Sequence, residues 1–148
     1  MKEIFTDEYF MQKALQEAVD AYEADEIPVG AIIVSNNKII AKAHNLTEAL
    51  IDVTAHAEMQ AITSASSYLG GKYLRDCTLY VTLEPCTMCA GALYWSQIGR
   101  VVFAAEDLNR GFRKFNTPLH PKTKLEYGIL KDDSEKLLLD FFHQKRKK

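Results

Sequence analysis

The 148-residue chain has only three cysteines, and two of them, Cys86 and Cys89, sit close together. That number and spacing disfavour a disulfide framework and favour metal binding or redox chemistry in a reducing compartment. No apolar run approaches the roughly 20 residues that cross a bilayer, so no membrane helix is expected. The opening MKEIFTDEYF lacks the basic region and apolar run of a secretion signal, and a cytoplasmic location is the expectation. There is no internal repeat, low-complexity tract or Pro/Gly-rich linker, so a single domain over 1–148 is expected. Nor is there a P-loop, a Ser/His/Asp pattern or a dinucleotide fingerprint.

What is present is ordinary in bulk: 47% hydrophobic and 26% charged residues, enough for a sizeable core. The net charge of −2 hides an asymmetry. Acidic residues crowd the stretch from Asp7 to Glu26, and the chain closes on Lys145, Arg146, Lys147 and Lys148. Such a distribution can place a local basic surface on an acidic protein, or the closing run is a solubilising tail.

Apolar residues at three- and four-residue steps (Phe10, Met11, Ala14, Leu15, Ala18, Tyr22) predict an amphipathic helix over 7–24. Val29–Ser35 and Lys38–Ala43 read as strands joined by a tight Asn36-Asn37 turn. Residues 45–53 read as a loop. Thr54 is expected to cap a helix running to Tyr68 and stopped by Gly70-Gly71. Thr78–Thr82 is a third strand, and Pro85 suits the first turn of a helix over Cys86–Trp95. Arg100–Ala105 is a fourth strand and Lys124–Leu130 a fifth. Asp133 or Ser134 caps a last helix whose apolar face is Leu137, Leu138, Phe141 and Phe142. Alternating strands and helices imply an α/β fold, a three-layer α/β/α sandwich, and the first hairpin makes its five-stranded sheet mixed.

Two short segments carry the chemistry. Thr54–Glu58 reads TAHAE, and Pro85–Cys89 reads PCTMC. Each opens a predicted helix, so two helix N-termini converge and bring His56, Cys86 and Cys89 together. One imidazole and two thiolates suit Zn²⁺, and three protein ligands leave a fourth position for water, the arrangement of a catalytic site. A structural site needs a fourth closed ligand, and Cys77 lies at the far end of its strand. Helix N-termini also favour ionised thiols. Glu58, two residues after His56, is placed to take a proton from water and hand it to a substrate nitrogen. The pattern H-x-E…P-C-x-x-C is the signature of zinc nucleobase deaminases, bacterial tRNA adenosine deaminase among them.

The likeness extends beyond the signature. EIPVGAIIV (Glu26–Val34), HN (His44–Asn45), TAHAEMQAI (Thr54–Ile62), LYVTLEPCTMCAGAL (Leu79–Leu93), IGRVVFAAED (Ile98–Asp107) and the late FF (Phe141–Phe142) resemble the bacterial tRNA-specific adenosine deaminases. That resemblance covers nearly the whole chain. It implies a cytidine deaminase-like fold and a homodimer with one zinc per subunit, converting the wobble adenosine of tRNA anticodons to inosine. It implies His56, Cys86 and Cys89 as ligands and Glu58 as proton shuttle. It implies that Asn45 hydrogen-bonds the flipped base, that Ile27, Pro28 and Val29 line its pocket, and that Asp107 contacts ribose or backbone. The backbone around Leu83 and Glu84 is expected to hold the leaving amine.

After Asp107 the chain departs from the family. Leu108–Lys124 has no acidic residue but carries Arg110, Arg113, Lys114, Lys122 and Lys124, with Phe112 and Phe115 interleaved. Cations contact phosphates and rings stack on splayed bases. Arg110, Phe112, Arg113, Lys114, Phe115, Phe142, Lys145 and Arg146 are therefore the expected contacts to an anticodon stem-loop. Three other readings stay open on the residues alone: a deaminase of a free base or nucleoside such as guanine or cytosine, a zinc-stabilised interaction module, and a thiol-disulfide protein. For Asn45 the plain alternative is a turn residue, for Ile27 and Val29 core packing, for Asp107 a cap, and for the 108–124 segment a solvated loop anchored by two buried Phe.

Overall fold

The computed structural model describes residues 4–146. Nine elements follow in order: α1 (Asp7–Glu23), β1 (Gly30–Ser35), β2 (Lys38–His44), α2 (Ala57–Leu69), β3 (Cys77–Leu83), α3 (Thr87–Ser96), β4 (Arg100–Ala105), β5 (Lys124–Tyr127) and α4 (Lys131–Arg146). The strands form one sheet in the order β2-β1-β3-β4-β5. β1 pairs antiparallel with β2 and β3, whereas β3–β4 and β4–β5 are parallel. The sheet is mixed and five-stranded, as the sequence implied.

Both faces of the central strands are buried, which is why they read as continuous apolar runs. Ile32, Val34, Tyr80, Val102 and Ala104 face α1 with its Phe10, Met11 and Ala14. Their alternates Ala31, Ile33, Leu79, Val81, Val101 and Phe103 face the side that carries Ala57, Ala61 and Ala65 of α2 and Ala90 and Leu93 of α3. α4 packs beside α1 on the first face. At Gly30, α1 lies so close that an added Cβ would fall 2.1 Å from the Ala14 carbonyl oxygen.

Several helix ends differ from expectation. Thr6 caps α1, its hydroxyl accepting from the Tyr9 amide at 3.1 Å. Thr54 does not cap α2. Its amide and hydroxyl both donate to Asp52 Oδ1, and His56 occupies the N-cap. Pro85 likewise sits one residue before the α3 cap, Cys86, rather than in the first turn. β5 stops at Tyr127 because Gly128 turns with φ +100°. α4 starts at Lys131, so neither Asp133 nor Ser134 is its cap. The Ser134 hydroxyl instead donates to the Thr82 carbonyl at 2.6 Å, tying α4 to the end of β3. Of the expected α4 face, Phe141 is buried, Leu137 and Leu138 are half-buried, and Phe142 is exposed. Lys147 and Lys148 of the basic tail lie outside the described residues.

Candidate active site

One rim of the sheet collects the segments that carry the expected chemistry. β3 and β4 end there, β2 ends there because Gly30 opposes His44, and β1 begins there because Ala31 opposes Val81. The loops leaving this rim therefore carry Ile27–Val29, Asn45, His56, Glu84–Cys86 and Asp107. This is the carboxyl edge of the parallel strands, where open α/β sheets place their ligands.

Cys86 Sγ lies 3.6 Å and Cys89 Sγ 3.5 Å from His56 Nδ1, although 30 and 33 residues separate them in sequence. All three ligand atoms lie within 4.8 Å of one another. Bonds of about 2.3 Å to sulfur and about 2.05 Å to nitrogen, in tetrahedral geometry, set N···S separations near ~3.6 Å. The trio therefore fits zinc in both donor chemistry and spacing. Among the described residues, these three are the only His/Cys/Asp/Glu group that could hold a metal ion. Cys77, buried at the start of β3, lies at the opposite end of that strand.

Within the trio, the Cys86 sulfur carries the negative charge and is held by two donors. The Cys89 thiol, then His56, stabilise the charged Cys86 sulfur and lower its pKa to about 4. The Cys86 sulfur in turn raises His56, and raises Cys89 together with burial. Glu58 is buried in the first turn of α2, beside the Cys89 thiol. Burial pushes its pKa up to about 7, with the Cys86 charge adding and its own amide and His56 opposing.

Around the trio, Asn45 is buried, with Oδ1 accepting from the Thr47 amide at 3.3 Å, the local bond of a turn residue. Pro28 is buried, Val29 half-buried and Ile27 exposed. The Ile27 side opens on a cleft of ≈ 510 Å³ shared with Thr47, Glu48, Phe141 and Lys145. Leu83 is half-buried, and the Glu84 amide is used by the Ala105 carbonyl at 2.8 Å. Asp107 Oδ1 accepts from the amides of Asn109 and Arg110, as a cap does.

The 108–124 segment divides. Arg110, Lys114 and Phe115 are exposed. Phe112 is 4% exposed and packs edge-on against Phe103, so it presents no face to a base. Arg113 is folded inward onto Glu84 and Glu106. Cations and rings in alternation do not distinguish a groove-lining loop from one anchored in the core. At the other basic segment, Lys145 pairs with Asp25 at 2.6 Å, whereas Phe142 and Arg146 are exposed.

Sequence reasoning missed Glu26. It is 1% exposed, and its carboxylate accepts from the Glu48 and Ala49 amides at 3.0 and 2.7 Å. It pins the loop after Asn45 to the loop before β1. The available signal was a carboxylate beside Ile27-Pro28 with no cation near it in sequence.

Residues 5–105 match the family model of the cytidine and deoxycytidylate deaminase zinc-binding region. The chain is 50% identical over 145 residues to the tRNA-specific adenosine deaminase of Aquifex aeolicus, covering 94% of this chain and 95% of that protein. It is 42% identical to the tRNA-specific adenosine deaminase of Bacillus subtilis, covering 96% and 92%. A solved structure from biochemical and structural studies of A-to-I editing by tRNA:A34 deaminases at the wobble position of transfer RNA matches with a TM-score of 0.82. Its identity is 41%, over 88% of this chain and 99% of that one.

Proposed function

Because the chain belongs to the cytidine and deoxycytidylate deaminase family, we propose that it hydrolytically deaminates adenosine to inosine at the wobble position of tRNA anticodons, with zinc as cofactor. The observation that carries this reading is the convergence of His56, Cys86 and Cys89 beside buried Glu58, in a chain half identical to a tRNA-specific adenosine deaminase.

His56, Cys86 and Cys89 hold one zinc per subunit. When bound, zinc makes water acidic enough to serve as nucleophile near neutral pH. Glu58 accepts the proton that the attacking water gives up and delivers it to the purine nitrogen beside the reacting carbon. It then carries the proton of the new hydroxyl to the exocyclic amine, whose C–N bond breaks as the carbonyl of inosine forms, and ammonia leaves. Backbone groups around Leu83 and Glu84 hold that amine. Asn45 pairs with the flipped base through its amide, and Ile27, Pro28 and Val29 enclose the ring. Asp107 meets the sugar or backbone at the rim.

The anticodon loop crosses the same rim. Arg110, Lys114, Lys145 and Arg146 meet its phosphates, and Phe115 and Phe142 stack on unpaired bases. The cleft beside Ile27 seats a nucleotide next to the target. A second copy covers exposed apolar surface such as Trp95, 77% exposed, and Ile51, 93% exposed. Leu93, by contrast, is fully buried in the core. The chain acts as one domain, in the cytoplasm where its substrate is; among the described residues no helix is long and apolar enough to cross a membrane.

The test offers purified protein an anticodon stem-loop with adenosine at the wobble position, and separately free guanine, cytosine and adenosine. Inosine in the stem-loop, without ammonia from the free compounds, is the expected result. Ammonia from a free base with no inosine in the RNA would place the chain among free-base deaminases. A protein that carries zinc and does neither would be an interaction module.

A further inference from the structure

The turn that delivers Cys86 is braced by a residue of the divergent segment. Glu84 stands two positions before Cys86, and its side chain is only 2% exposed. Its Oε1 accepts from the Asp107 amide at 3.1 Å and from Arg113 Nη2 at 3.0 Å. Its Oε2 accepts from the Arg113 amide at 3.2 Å and from Arg113 Nε at 3.0 Å. The guanidinium lies over the Tyr127 ring at 4.4 Å and the Phe103 ring at 5.1 Å, so β4 and β5 hold it from behind.

The same turn is stitched to the loop by its backbone. Cys86 bridges Gly111, and the Phe112 amide donates to the Pro85 carbonyl at 2.9 Å. Gly111 has to be glycine here, since a Cβ would come 2.4 Å from the Glu84 carboxyl carbon. Arg113 is thus the cation that compensates a buried carboxylate in the two-residue link between β3 and Cys86, the cap of α3.

The geometry points to Arg113 as a positioning residue for Cys86, acting through Glu84, rather than as a contact to RNA phosphate. Its two-point grip fixes the orientation of the Glu84–Cys86 link, and with it the place of the Cys86 sulfur relative to His56 and Cys89. Without it, a buried negative charge is left uncompensated, and the link moves or admits water. A lysine restores the charge but not the fork. Groups that brace metal ligands from behind shift metal affinity by about 10- to 100-fold when removed.

The inference rests on the zinc reading of the site, and the zinc content of the wild-type protein checks that reading before any variant is compared. Zinc-loaded wild type, Arg113→Ala, Arg113→Lys and Arg110→Ala are mixed with a colorimetric chelator well below their melting temperatures. The rate of zinc transfer is recorded. kcat and KM are then measured on the anticodon stem-loop. Arg113→Ala is expected to release zinc about 10-fold faster and to lose kcat while KM moves less than about twofold. Arg113→Lys should fall between it and wild type. Arg110→Ala, in the exposed part of the segment, should keep the wild-type release rate and raise KM. Should Arg113→Ala accumulate unfolded, the double variant Glu84→Gln/Arg113→Gln takes its place, since it removes both charges together, and faster release is again expected. Zinc release at the wild-type rate from the folded variant overturns the proposal, whatever its melting temperature. A rise in KM with that unchanged release makes Arg113 an RNA contact instead.

Discussion

Arg100 and Arg113 grip carboxylates in the same two-point manner at opposite ends of the sheet. Arg100 opens β4 and donates to both oxygens of Asp7 at 2.8 and 2.6 Å, with Glu126 at 2.8 Å and the Tyr80 hydroxyl also on the network. Its side chain is 22% exposed, Asp7 31% and Glu126 52%. Water replaces much of what these groups lose if the network breaks, so it contributes modestly. Around Arg113 the carboxylate is sealed from water, and the link beside it ends on Cys86, a candidate metal ligand. The chemistry of the pair is shared. What differs is solvent access and what hangs on the chain next to it.

A third carboxyl sharpens the contrast. The Arg100 guanidinium holds Asp7 below the usual carboxylate range against the upward push of burial. Burial pushes Glu84 up, but Arg113 and the amides of Asp107 and Arg113 bring it below its ordinary value. Glu58 has no lysine or arginine ion pair among the described residues, and it alone rises to about 7. Cations lock the first two as anions. Burial raises Glu58, and the nearby His56 charge only partly offsets it.

The most severe way to break the contrast is Cys86→Ala. Zinc should fall from one equivalent to near none by elemental analysis, with turnover abolished and the melting temperature lowered, because metal binding is coupled to folding. Glu58→Gln should keep zinc and fold yet lose about 10²- to 10⁴-fold in kcat on the stem-loop. Near-wild-type turnover in that variant would remove Glu58 from the reaction. At the other end of the sheet, Arg100→Ala should cost about 1 kcal/mol, or about 4 °C by calorimetry, and leave zinc content and kcat unchanged. A clear loss of zinc there would erase the distinction between the two ends.

Asp7→Asn gives the smallest effect, and its sign depends on pH. The folded-state pKa of Asp7 is depressed, so its stabilising contribution is fully present above the ordinary value of 3.8 and is lost as pH falls through the folded value. The melting-temperature deficit of Asp7→Asn should therefore be constant from pH 7 to about 5 and shrink below about pH 4. A deficit that grew on acidification would contradict the depressed pKa.

Strand positions were legible to within two residues except at β5, because alternating burial on two faces leaves unbroken runs such as AIIV and VVFA. The ligand set was legible because each half of the motif opens a helix. Helix caps were less so. Thr54 has the right side chain for a cap, yet Asp52 offered it a nearer acceptor. Sequence alone leaves Arg113 and Phe112 between RNA contacts and a loop anchored by buried Phe, because a loop has no periodicity to reveal which residues turn inward. Glu84, the partner of Arg113, lies 29 residues away along the chain. Glu26 was missed for the same reason: its partners are the amides of a loop 22 and 23 residues downstream.

Residue type and spacing alone determined the alternation of the strands, the two helix starts, and the donors available to a metal: one imidazole and two sulfurs. These are local properties, settled by side-chain chemistry and backbone period. Only the tertiary structure decided that the sulfurs stand 3.5 and 3.6 Å from the imidazole nitrogen, that Glu58 is buried beside them, and that Arg113 faces Glu84 rather than solvent. Those depend on which distant segments share a rim and on how completely they exclude water, and solvent exclusion sets the strength of every charge interaction within it.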